Sequence, residues 1–188
     1  MKKYEILDLK RAIDMVLSFI SIIILIPVFL LIAILIRLDG KGRILFKQQR
    51  LGLYSEPFNI IKFRTMSVDA PNIAAKEIDN DAYVTRIGKL LRRTSLDELP
   101  QLFNILVGQM SFVGPRPLIP HEGEINGLRT KFGVDKIRPG LTGWAQVLAR
   151  DTCDDMEKLK LDIYYKENQC FLLDVKIILM TFTSLRGK

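Results

Sequence analysis

Hydrophobic positions in this chain fall into three patterns. Residues 15–36 are a run of 22 without a single charge, broken only by Ser18, Ser21 and Pro27. Farther on, apolar residues alternate with polar ones, which predicts short strands over 44–48 and 57–66 around a Gly52 turn. In the second strand Phe58, Ile60, Lys62 and Arg64 share one face, and Ile61 and Phe63 share the other. Helical spacing predicts helices over 85–93, 95–107 and 152–168, the last with Met156, Leu159, Ile163 and Tyr164 on its apolar side. Phe171–Leu185 has ten apolar residues in fifteen and suits a core helix or a helix in the bilayer interface. Residues 67–83 are polar and acidic, as a surface loop with a helical turn. Residues 111–144 are rich in glycine and proline, so ordered loops are expected there.

The uncharged run is long enough for a membrane segment. It is too long for a signal-peptide core and lacks a small-residue cleavage site. Its flanks are basic on both sides, with Lys2, Lys3, Lys10 and Arg11 before it and Arg37, Lys41, Arg43, Lys47 and Arg50 after it. Both ends therefore favour the cytoplasm. Pro27 removes a backbone donor near the middle. The halves on either side would rise about 18 Å and 14 Å at 1.5 Å per residue, and neither crosses a hydrocarbon core of about 30 Å. These features predict a re-entrant hairpin with its kink at Pro27; a straight span is the alternative.

Composition sharpens this picture. All 28 basic and 21 acidic residues lie outside the run, and the net charge is +7. This excludes a disordered chain, a fibre or a polytopic transporter. Cys153 and Cys170 have no C-x-x-C spacing, and the single histidine, His121, cannot build a His-rich metal site. Nucleotide-binding glycine loops, a G-x-S-x-G elbow and nucleic-acid-binding signatures are absent. An anionic lipid surface or an anionic substrate accounts for the basic excess, and nucleic acid is not an expected partner.

Four stretches carry candidate chemistry. In "RRTSLDELPQL", Asp97 and Glu98 follow Arg92 and Arg93. Ser95 and Glu98 fit an S-x-x-E capping box, which would make the stretch purely structural. The alternative is chemical: a carboxylate at a helix N-terminus near cations is expected to have a depressed pKa and can serve as a nucleophile or Mg²⁺ ligand. In "MSFVGPRP", prolines on both sides of Arg116 restrict the backbone and either form a tight turn with a solvated arginine or present a guanidinium suited to phosphate. "KFRTM" places Lys62 and Arg64 on one strand face. "RPGLTGWAQV" is turn-rich and presents Trp144, which is more often core than ligand platform.

In this order behind an apolar N-terminal segment, the four stretches resemble the bacterial sugar transferase family, and more narrowly its small monotopic phosphoglycosyl transferases. The resemblance covers residues 10–183. It implies a mixed α/β fold, mostly helical with a small sheet. Residues 1–40 would form the re-entrant membrane hairpin and its flanks, and 41–188 a cytosolic catalytic domain with interfacial helices, together the minimal catalytic unit. The implied reaction moves a sugar-1-phosphate from a UDP-sugar to undecaprenyl phosphate and releases UMP, at the cytoplasmic face of the bacterial inner membrane. The resemblance makes Asp97 the nucleophile and a Mg²⁺ ligand, with Glu98 its dyad partner. It gives Lys62, Arg92 and Arg116 phosphate-binding roles and Asp162 a further acidic role among the substrate-binding residues. Three places depart from the family's common pattern: Ile26 before Pro27 where serine is frequent, Leu148-Ala149 after the tryptophan, and Gln49. The alternatives are a catalytically silent membrane-anchored scaffold of a glycan assembly complex, and a polybasic lipid-binding protein without chemistry.

Overall fold

The computed structural model of the chain describes residues 3–70, 83–120, 123–149 and 154–185. Most of the acidic loop expected at 67–83 lies outside these residues, as do His121, Arg150, Asp151 and Cys153.

Helix α1 (Lys3–Asp39) is 37 residues long and contains Pro27. Its segment Leu9–Asp39 is long and apolar enough to cross a membrane. It runs as one helical element where two halves about Pro27 are expected. One face docks on the rest of the chain: Asp14, Ser18, Ile32 and Ile36 are buried. The opposite face leaves Phe19, Ile23, Ile24, Leu30, Leu31 and Ile34 exposed, Ile24 by 68%. Both ends are tied down by polar contacts. Near the N-terminal end Lys10 Nζ pairs with Asp174 Oδ2 at 2.5 Å. Arg11 donates to the Ile105 and Leu106 carbonyls at 2.6 and 2.7 Å. At the C-terminal end Arg64 donates to the carbonyls of Gly40 (3.0 Å) and Ile36 (3.3 Å), where helix carbonyls lack intrahelical partners. Asp39 Oδ2 accepts from the Ile87 amide at 3.1 Å.

Strands β1 (Leu45–Leu51) and β2 (Pro57–Phe63) form an antiparallel hairpin with Gln48 opposite Ile60. Phe58 and Ile60 turn inward, where they meet Leu102, Ile105 and Met110 and the α1 residues Ile22, Leu25 and Phe29. Helix α2 (Arg86–Thr94) starts on Thr85, whose hydroxyl accepts from the Gly88 amide at 3.0 Å. Gly88 sits where a Cβ would lie 2.0 Å from the Thr65 carbonyl oxygen, so only glycine lets this helix meet the end of the hairpin.

The single helix expected over 95–107 is broken. Ser95 has left-handed backbone angles, a 3₁₀ turn follows at Leu96–Glu98, and α3 spans Gln101–Leu106. Pro100 explains the break, since it has no N–H to give to the turn before it. The capping box does not form, because Ser95 has φ 56° and makes no side-chain cap. An N-cap residue needs extended angles. The buried Asn104 fixes α3 on β2: its Oδ1 accepts from the Ile61 amide at 3.1 Å and its Nδ2 donates to the Asn59 carbonyl at 2.8 Å.

The glycine- and proline-rich half folds around β3 (Ser111–Val113) and β4 (Gly140–Thr142), a parallel pair with Val113 opposite Thr142. Around them lie α4 (Glu124–Lys131), α5 (Trp144–Leu148), α6 (Asp155–Asn168) and α7 (Phe171–Leu185). The inner face of α6 is Leu159, Asp162 and Tyr165, whereas Met156 and Tyr164, expected to face inward, are about half exposed. Three-residue steps keep this face together, and Asp162 is admitted to it by an arginine partner described below. On α7, Ile177 and Asp174 are buried while Phe171, Leu172, Val175, Leu179 and Phe182 are exposed.

Candidate active site

Five elements converge on one cleft of about 2450 Å³. Lys62 comes from β2, Arg92 from the last turn of α2, Asp97 and Glu98 from the 3₁₀ turn, Arg116 from the loop after β3, and Asp162 from α6. All six line this cleft. Pro27, in contrast, lies on α1 away from it.

The 3₁₀ turn separates the fates of the two carboxylates. Glu98 Oε1 pairs with Lys62 Nζ at 2.7 Å. Asp97 has no ion pair among the described residues. Its pKa is raised, first by burial and then by the neighbouring charge of Glu98, with Lys62 and Arg92 pulling it back only in part. The depressed value expected from the cation-rich sequence is therefore reversed: desolvation outweighs the attraction of cations that do not touch the group. Arg92 is instead held by Thr65, to whose hydroxyl its Nε donates at 3.0 Å. Arg64, expected beside Lys62, serves the end of α1.

Arg116 is presented by interlocked glycines. A Cβ on Gly114 would lie 2.3 Å from the Arg138 carbonyl oxygen, one on Gly140 2.1 Å from Gly114 N, and one on Gly143 2.1 Å from the Gly114 carbonyl oxygen. The Gly114 amide donates to the Thr142 carbonyl at 2.9 Å, and the Gly140 amide to the Pro115 carbonyl at 2.9 Å. The stretches "VGPRP" and "RPGLTGW" thus pack backbone to backbone, and Arg116 leaves this joint with its side chain exposed between the buried Pro115 and Pro117.

Asp162 is 1% exposed. Arg129 of α4 holds it through Nη2 at 2.5 Å and donates from Nη1 to the Arg116 carbonyl at 2.6 Å. Burial still raises the Asp162 pKa against the pull of Arg129. Arg129 stands in no sequence motif, so nothing local marks it as a site residue. Lys10 and Asp174 were also missed, although a lone carboxylate inside the apolar α7 signals a buried cation partner. Tyr165 completes that contact, donating to Asp174 Oδ1 at 2.6 Å, and burial next to Asp174 pushes its pKa upward. Trp144 does not line the cleft. It packs at the edge of the Val113–Tyr165–Ile177 cluster and stacks on Tyr164 with centroids 5.9 Å apart.

The same cleft is lined by apolar side chains, among them Leu17 and Leu25 of α1 and Val175, Ile178 and Phe182 of α7. A carboxylate pair and several cations in one cleft with apolar side chains of a membrane-type helix suit ligands that join a phosphate to an apolar tail.

Comparison with known proteins agrees with this class. Residues 5–188 match the model of the bacterial sugar transferase family, and the chain belongs to that family. It is 39% identical over 181 residues to UDP-glucose:undecaprenyl-phosphate glucose-1-phosphate transferase of Escherichia coli (strain K12), which covers 92% of this chain and 39% of that protein. It is 38% identical over 205 residues to the exopolysaccharide production protein PSS of Rhizobium leguminosarum bv. phaseoli, covering 97% of this chain and 98% of that protein. It is 36% identical to the uncharacterized sugar transferase EpsL of Bacillus subtilis (strain 168), covering 92% and 85%. The chain therefore spans about two-fifths of the Escherichia coli protein and nearly all of the Rhizobium one.

Proposed function

We propose that this chain is a phosphoglycosyl transferase that moves a sugar-1-phosphate from a UDP-sugar to undecaprenyl phosphate and so begins assembly of a bacterial surface glycan or glycoconjugate. The observation that carries this reading is the juxtaposition in one cleft of the Asp97–Glu98 pair, its cations and apolar side chains. A water-soluble nucleotide donor and a lipid-borne acceptor must meet at such a place. The family and the acceptor named for the Escherichia coli relative support it.

In this reading an Asp97 carboxylate oxygen attacks the sugar-linked phosphorus. The bond from that phosphorus to the bridging oxygen breaks, and UMP leaves with the electron pair. An oxygen of undecaprenyl phosphate then attacks the same phosphorus and releases the Asp97 carboxylate. The raised pKa suits the role, since a desolvated carboxylate without an ion pair is the more basic nucleophile. Lys62 is ion-paired with Glu98 beside it, and Arg92 and Arg116 offer charge to the diphosphate. The chemistry of the donors suits Mg²⁺, a hard cation commonly bound through one or two carboxylates together with substrate phosphate oxygens. Asp97 would hold it, and when bound it supplies neutralisation of the diphosphate charge.

The chain would sit at the cytoplasmic face of the inner membrane, with α1 re-entering the same leaflet by a bend at Pro27. The contacts at Lys10 and at Asp39 support this, because both ends of α1 are held by the same body of the protein.

The test is UMP release from UDP-sugars by the purified chain with undecaprenyl phosphate and Mg²⁺. Release that requires both, a loss of at least about 10³-fold in Asp97→Asn, and a sugar-phosphate adduct trapped on a peptide spanning 94–101 are expected. Full activity in Asp97→Asn would sink the covalent route, and no release with any UDP-sugar would leave the silent scaffold as the better reading.

A further inference from the structure

Two of the three nitrogen positions of the Arg129 guanidinium have partners, Arg116 and Asp162. Its Nε is buried and has no hydrogen-bond partner among the described residues. Two acceptors close by share that condition. Asn126 Nδ2 donates to the carbonyls of Ile119 and Pro120, each at 3.0 Å, which fixes the amide and leaves the buried Oδ1 unmatched. Asp135, in the 3₁₀ turn Val134–Lys136, has a buried and unmatched Oδ1. Arg129, Asn126 and Asp135 all line one small pocket of about 30 Å³, next to Ser55 and Pro139. Buried polar groups without partners are rare because each costs free energy. Three around one pocket point to a shared ligand.

We propose that this pocket holds one water molecule, and that Asp135 and Asn126 act through it as positioning residues for the cleft. Water is the ligand that satisfies the donor and acceptor count. It accepts from Arg129 Nε–H and gives its two hydrogens to Asn126 Oδ1 and Asp135 Oδ1. A metal cation or ammonium would face Nε–H, which can only donate, and an anion would face two acceptor oxygens. The volume exceeds the roughly 10–15 Å³ one water requires and excludes a nucleotide. Through this water the 3₁₀ turn braces Arg129. Arg129 in turn fixes the main chain at Arg116 and the carboxylate of Asp162, both in the cleft. The positioning role rests on the function proposed above; the water itself does not.

Two measurements separate these claims. A crystal structure of the full chain resolving ordered solvent is expected to show a density peak within about 3 Å of the three atoms. No peak there, or a protein atom matching Arg129 Nε, overturns the site whatever the enzyme does. For the positioning role, Asp135→Asn keeps an acceptor oxygen and is expected within about twofold of the parent in UMP release. Asp135→Leu is expected to lower kcat/KM for the UDP-sugar about tenfold, the scale of one unmatched buried donor, with the change carried by KM. If Asp135→Leu does not fold, Asp135→Val replaces it. Equal losses in the asparagine and apolar variants, or an unchanged KM in the apolar one, overturn the positioning role.

Discussion

Lys62 is bonded to Glu98 and not to Asp97: its Nζ lies 2.7 Å from Glu98 Oε1. The neighbouring carboxylate is left without an ion pair among the described residues, half-buried, with its pKa raised by burial and by Glu98. One cation thus keeps the pair of adjacent acids tolerable while leaving one of them without a counter-ion in contact.

This arrangement fixes the sign of the pH response. In the proposed route Asp97 must be ionised to attack, so the acid limb of kcat/KM, which reports the free enzyme before Mg²⁺ arrives with the nucleotide, should lie above the ordinary carboxylate range. Lys62→Met removes a charge that lowers Asp97 and should move that limb to higher pH. It should also lower kcat/KM by about 10²-fold, as loss of a charged group at a phosphoryl site does. Glu98→Gln removes a charge that raises Asp97, and its residual activity should persist to lower pH. A limb moving the other way in either variant, read from pH–rate profiles, would contradict the electrostatic account. The stability sign follows from the same shift. The folded chain binds this proton more tightly than the unfolded one, so Asp97 favours the fold in acid. That contribution disappears as pH rises through its folded pKa.

Asp162 and Arg129 form a buried pair, and breaking one side is costly. Asp162→Asn leaves the guanidinium without its counter-charge and should lower stability by about 3 kcal/mol or more. Arg129→Met strands the carboxylate and should do the same. The double variant Arg129→Met/Asp162→Leu should be less destabilised than the sum of the two singles, because no buried charge remains. Thermal melts in detergent of all four proteins close this cycle, and simple additivity would show that the pair is not coupled. Activity should not return in the double variant, since Arg116 loses its main-chain partner.

Gly114→Ala tests the joint that presents Arg116. The new Cβ would lie 2.3 Å from the Arg138 carbonyl oxygen, a clash with backbone that side-chain motion cannot relieve. A loss of about 1–3 kcal/mol is expected, with activity falling further than stability because Arg116 stands two residues away. Gly127→Ala is the control: nothing lies within 4 Å of its Cβ position. It sits inside α4 and should be neutral or stabilising by up to about 1 kcal/mol. Melting temperature and UMP release measured together distinguish the two.

Local patterns were enough to locate the hairpin β1–β2, the start of α2 at Thr85 and both ends of α7, because each depends on neighbours in sequence. The resemblance to the sugar transferase family, and not the charge pattern, brings Lys62, Arg92, Arg116 and Asp162 together with Asp97 and Glu98 as one set, and all six line one cleft. What was not legible depends on distance. The Lys10–Asp174 bond joins residues 164 apart, and nothing near Arg129 marks it as the partner of Asp162. The sign of the Asp97 pKa was also hidden, since sequence gives the neighbouring charges but not the burial that outweighs them. The break at Ser95 had its signal in Pro100, which the apolar spacing of 95–107 obscured.

The topology of α1 is the remaining consequence. From Lys10 to Asp39 a helix rises about 44 Å at 1.5 Å per residue, more than a hydrocarbon core of about 30 Å. Yet Lys10 is bonded to Asp174 and Asp39 to the Ile87 amide, so both ends belong to one domain. A straight crossing would place those partners on opposite sides of the bilayer and pull the charged cleft into lipid, at high cost. A bend at Pro27 avoids this, because the carbonyl of Ile23 already lacks its helical donor there. In a background without Cys153 and Cys170, Lys3→Cys and Lys41→Cys should both resist an impermeant maleimide in intact spheroplasts. Both should label in inverted vesicles. Labelling of position 3 from outside would establish a span and refute the re-entrant form. As a second reading, Pro27→Ala should favour a straight helix and expose position 3 in a fraction of molecules, with UMP release falling in proportion.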